Sequence, residues 1–142
     1  MAVGITAITI NALVTLFGAW LWRVGRSSRW FWWGLRAGQV IVVLQAALGG
    51  ILVAMGRKAP SLHILYGVLP LLVALIAEQL RAASAQMVLD ARDIPNAQAV
   101  GRLPEEEQQG LVRTIMQREV GVMTLAALVV VVLLARAAGT AG

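Results

Sequence analysis

The stretch 120–135, VGVMTLAALVVVVLLA, carries no charged side chain and is closed by Arg136. With a few flanking residues it approaches the roughly 20 residues needed to cross a hydrocarbon core of about 30 Å. Working back along the chain, three more apolar stretches follow the same pattern, at about 3–22, 33–55 and 60–80. An isolated strand in lipid leaves its backbone groups unpaired, so each stretch is expected to be a helix. The first lacks a basic leader and a small-residue cleavage site before Trp20 and Trp22, and is expected to stay as a mature helix rather than act as a signal peptide.

Composition agrees with lipid exposure. The chain is 59% hydrophobic and 13% charged, about half the charge of a soluble domain. Without cysteine it has no disulfide, zinc–thiolate site or iron–sulfur cluster. The net charge of +5 belongs to residues that flank apolar runs, which reads as membrane orientation and not as a nucleic-acid surface. Arg23, Arg26, Arg29 and Arg36 surround the first connection; Arg81, Arg92, Arg102, Arg113 and Arg118 surround the third. Only Arg57, Lys58 and Arg136 lie on the opposite side. Because cytoplasmic loops carry the excess of basic residues, both termini and the 56–60 turn are predicted to be extracytoplasmic in a multi-pass protein of the cell membrane. Trp20, Trp22, Trp30, Trp32 and Trp33 then form an aromatic belt at the inner interface.

All seven acidic residues fall between Glu78 and Glu119. Ile94-Pro95-Asn96 breaks the third helix, and Pro104 followed by Glu105, Glu106 and Glu107 has the signature of a new helix start. The fold expected is an all-α membrane protein: a four-transmembrane-helix bundle forming one domain over 1–142, with helices three and four extended into a cytoplasmic hairpin over about 81–119. Gly4, Ala7, Asn11, Thr15 and Gly18 share one helical face; Gly34 and Gly38, and Ala46, Gly50 and Ala54, recur four apart; Gln45, Gly49 and Gly56 lie on a neighbouring stripe; Gln117, Gly121 and Thr124 form another set. These small residues predict close helix packing, and Asn11 and Gln45 are expected to hydrogen-bond across helices. In the third span His63, Gly67, Pro70, Ala74, Ala77 or Glu78, and Arg81 should face the bundle, with large aliphatic residues toward lipid. Glu78 is expected to pair with Arg81, Arg36 or Arg118.

His63 is the one histidine, and a neutral imidazole is the form that ligates haem iron or chlorophyll magnesium. Gln45-Ala-Ala-Leu-Gly-Gly50, Val53, Gly56 and then Leu62-His63 resemble a helix pair from one half of a haem A synthase, over about residues 39–75. The resemblance implies His63 as axial and metal ligand of a haem or related pigment, with Tyr66 or Gln45 as its supporting partner. The second histidine and the acidic residue of the synthase half have no counterpart, so what carries over is pigment binding and not the synthase reaction. No nucleophile–histidine–acid set and no phosphate-cradling glycine loop is present. The expected function is therefore non-enzymatic: an accessory or assembly subunit of a larger membrane complex, or a homo-oligomer. Its partners are the lipid bilayer and other membrane subunits or copies of itself, not nucleic acid. A haem- or chlorophyll-binding electron-transfer protein and a small transporter component are the alternatives.

Overall fold

A computed structural model describes residues 2–140; residue 1 and residues 141–142, at the ends of the expected domain, lie outside that range. Five helices follow in order: α1 (Ala2–Arg23), α2 (Arg29–Ala54), α3 (Ser61–Asp90), α4 (Ala97–Val100) and α5 (Glu105–Gly139). The four long ones are long and apolar enough to cross a membrane, so the chain is a multi-pass helical bundle. They close a ring in which α1 meets α2, α2 meets α3, α3 meets α5, and α5 returns to α1. One end of the ring carries the start of α1, the 55–60 turn and the end of α5; we refer to it as the terminal end. The other carries the tryptophans and the α3–α5 hairpin, and is the hairpin end.

The helix stops are built from backbone hydrogen bonds. At the end of α2, Gly56 N donates to Val53 O and Arg57 N to Leu52 O, both at 3.0 Å, with Gly56 at φ +85°. The same pair of bonds ends α1 around Gly25, at φ +66°. A left-handed residue at this place satisfies carbonyls that the helix leaves unpaired. The third helix stops in the same way, but around Asp93 at φ +55°, with Ile94 N on Leu89 O. The helix thus ends at Asp90, before the break expected at Ile94-Pro95-Asn96. A short α4, capped by Asn96 through Ala99 N at 2.9 Å, fills the connection. Pro104 is the N-cap of α5 and Glu105 its first residue.

Packing is uneven around the ring. The core at the hairpin half joins Val14 and Leu21, Phe31 and Leu35, Ala77, and Val120, Met123 and Ala127 from the four long helices. Small residues let the backbones approach there: Gly38 lies against the Asn11 amide, and Gly18 against Thr124 and Phe31. A second cluster joins Ala7, Val42, Val130 and Leu134. A third, of Val88, Leu89 and Leu111 with Ile94, Val100 and Ile115, lies between α3 and α5 past the ends of α1 and α2. The two long helices thus stay packed against each other along this stretch. Lipid gives helices no hydrophobic reason to associate, so interdigitation of this kind is what holds them.

Three expected contacts are made differently. Asn11 Nδ2 donates to Ala7 O of its own helix at 2.9 Å, not across to another. The Gln45 Oε1 atom is buried without a hydrogen-bond partner. Arg118 reaches Met87 Sδ and not Glu78. Along α2 the buried residues are Phe31, Leu35, Gly38 and Val42; beyond Val42 no residue of the helix is buried as a whole, although Gly49, Gly50 and Ala54 suggested close packing.

Candidate functional site

The α2–α3 seam is fastened at one end and open at the other. At the hairpin end Glu78 accepts hydrogen bonds from Arg36 Nη1 at 2.5 Å, from Gln39 Nε2 at 3.0 Å and from Arg81 Nε at 3.0 Å. Arg81 also lies over the Trp32 ring, 5.7 Å from its centroid. One carboxylate, a quarter exposed, therefore ties α2 to α3 and anchors both to the aromatic end. Both carboxylate oxygens of Glu78 are hydrogen-bonded, and the group's chemistry is structural.

Toward the terminal end the two helices leave a cleft of about 430 Å³, walled by Ala46, Gly49, Gly50 and Val53 of α2 and by Ile64, Gly67 and Val68 of α3. Added Cβ atoms at Gly49, Gly50 or Gly67 would meet nothing within 4 Å. With side chains this short on both walls, nothing bridges the gap. Gly49, Gly50, Val53 and Val68 are exposed, so the cleft opens sideways, toward where lipid lies. A narrower crevice of about 260 Å³ continues the seam past Pro70 to Glu78.

His63 sits on the cleft wall, half-buried. Its Nδ1 is 2.9 Å from Ala137 O on α5. A carbonyl only accepts, so Nδ1 carries the proton and Nε2 is left with a lone pair in the neutral ring. This is how a backbone carbonyl commonly orients a histidine ligand. The expected partners are placed otherwise. Gln45 lines the same cleft but makes no hydrogen bond to His63, and the Tyr66 ring lies under Arg136, 5.9 Å away. The backbone partner of His63 had no sequence signal, since every residue carries a carbonyl. Among the described residues the cleft lining holds no second histidine and no cysteine or methionine, and no group of three His, Cys, Asp or Glu side chains is present.

The mouth of the cleft is cationic. Arg57 and Lys58 line it, both exposed, and neither forms an ion pair among the described residues. Beside them α3 begins at Ser61 with Pro60 as N-cap and no side-chain capping bond, which leaves the positive end of that helix uncompensated.

Fold and site together define a small multi-pass helical membrane protein with a lateral cleft. Comparison with family models, curated proteins and solved structures finds no match, so the cleft is interpreted from its own residues.

Proposed function

We propose that the chain is a non-catalytic accessory or assembly subunit of a larger membrane complex, or a homo-oligomer, whose cytoplasmic contact surface is the α3–α5 hairpin. The hairpin's own core carries this reading. Val88, Leu89 and Leu111 pack α3 against α5, yet Val112 and Met116 stay 50% and 41% exposed on α5. Four apart on a helix, they form one apolar strip on the most polar part of the chain. A rigid arm with an uncovered apolar strip suits a docking element better than a linker. Extraction from the native membrane in mild detergent should give a particle larger than the monomer, which Val112→Glu with Met116→Glu reduces to the free bundle while helix content is unchanged. A strictly monomeric particle at native abundance would remove the reading.

A second reading rests on His63. The Nδ1–H bond to Ala137 O presents Nε2 as a ready axial ligand, in a glycine-walled cleft that a flat macrocycle can enter. When bound, a haem would bring redox chemistry; His63 would supply one ligand and orient it. A Soret band on adding haemin, lost in His63→Ala, is expected; no band, or one unaltered in that variant, ends this reading.

A further inference from the structure

We propose that the terminal-end cleft is a seat for one anionic phospholipid, with an acyl chain lying along Gly49, Gly50 and Gly67 and the phosphate held at Arg57 and Lys58.

The groove comes first. A void between packed helices forfeits dispersion contacts on its lining, and this one opens sideways onto exposed apolar wall residues. In a bilayer the surrounding solvent is acyl chain, so mass action fills the groove with lipid. Two adjacent glycines on α2 and one on α3 leave room for a chain to lie against backbone.

The headgroup end follows from placement. With 26 residues, α2 is about 39 Å long at about 1.5 Å per residue, against a hydrocarbon core of about 30 Å. Its last turn therefore reaches headgroup level. The left-handed Gly56 turns the chain there and sets Arg57 and Lys58 at the mouth. Neither cation pairs with a side-chain carboxylate among the described residues: the acidic residues all lie from Glu78 onward, toward the hairpin end. The uncapped start of α3 adds backbone N–H groups and a positive helix end at the same place. Two free cations and a helix N-terminus above an apolar slot match a phosphate above an acyl chain.

The test is native mass spectrometry of the full chain released from nanodiscs of phosphatidylglycerol and phosphatidylcholine in equal amounts. One phosphatidylglycerol should be retained, with a preference on the order of tenfold. Arg57→Gln with Lys58→Gln should abolish the preference, either single change should weaken it, and Arg136→Gln, one charge removed at the same end but outside the cleft, should leave it intact. Gly50→Leu, which has space for its side chain, should expel the lipid at unchanged helix content. Absence of a headgroup preference overturns the proposal, as does an equal loss in Arg136→Gln, which would mean general surface charge. Competition by millimolar inorganic phosphate, with retention in Gly50→Leu, would make the mouth a simple anion site and also overturns it. So would a His63-dependent Soret band with haemin and no loss of lipid, because the cleft would then hold the pigment instead.

Discussion

Gly18 and Gly49 differ in what faces them, and replacing each by alanine separates packing from helix propensity. At Gly18 a Cβ would lie 2.3 Å from Thr124 Oγ1 and 2.5 Å from Phe31 Cε2. Ordinary contact begins near 3.4 Å, so both neighbours must retreat by about 1 Å, and neither does so freely. Thr124 is β-branched and restricted at χ1. Phe31 is fully buried and held edge-on to Trp32 at 5.2 Å. Overpacking of this kind costs about 1–3 kcal/mol. At Gly49 the added methyl meets nothing within 4 Å. Only the propensity gain remains there, up to about 1 kcal/mol. Gly18→Ala should therefore lower stability and Gly49→Ala leave it equal or higher; the propensity gain is common to both helical sites, so about 1–3 kcal/mol of packing cost separates them. Unfolding by increasing dodecyl sulfate fraction in mixed micelles, followed by far-ultraviolet circular dichroism, measures both. Equal effects, or a Gly18→Ala protein as stable as the parent, would refute the placement of α1 against α2 and α5.

Glu78→Gln removes the charge that Arg36, Gln39 and Arg81 share; a loss of about 1–3 kcal/mol is expected in the same titration, and Arg118→Gln, whose side chain reaches only Met87, should change it little. Asp93→Gly relieves a left-handed non-glycine residue and should raise stability by about 0.5–1 kcal/mol, seen as a higher thermal midpoint in detergent; a fall would mean that the Asp93 side chain makes a stabilising contact. Thr124→Val removes a buried hydroxyl without a partner, so its effect should lie between neutral and a gain of about 1 kcal/mol; a clear loss would show that the hydroxyl is hydrogen-bonded.

The spans were legible because lipid crossing is a one-dimensional property. A run such as 120–135 states its own environment by composition, and the α5 start was legible from Pro104 with the glutamates behind it. Partner choice was not legible in the same way. Gly38 and Gly49 sit on one helix as similar glycine signals, but Gly38 meets Asn11 and Gly49 meets nothing. Periodicity assigns a residue to a face; it does not say what stands opposite. The same limit hid the bond from His63 to the Ala137 carbonyl, and it made Asn11 look like an interhelical donor when Ala7 O, four residues back, lay within reach. Asp93 escaped notice because left-handed stops are read from glycine or asparagine, and Pro95 two residues later drew the boundary to itself.

The uneven seam has a consequence for motion. Each region opens at a free energy set by what it buries. From Phe31 to Val42, α2 contributes to two clusters and is tied to Glu78 through Arg36 and Gln39. From 43 to 54 it buries no residue and makes no side-chain hydrogen bond among the described residues. Backbone hydrogen bonds keep this half helical, but few tertiary contacts hold it beside α3. Bending of the terminal half of α2 away from α3 therefore breaks few tertiary contacts and leaves the Glu78 clamp intact. Such bending widens the cleft beneath Arg57 and Lys58, because both cations ride on the end that moves. An occupant that bridges α2 and α3 there would supply the contacts the seam lacks and would oppose the bending. With a lipid seated there, filling of the cleft and ordering of the second half of α2 would be one event, because the glycines that leave the seam open also leave room for the chain that would close it.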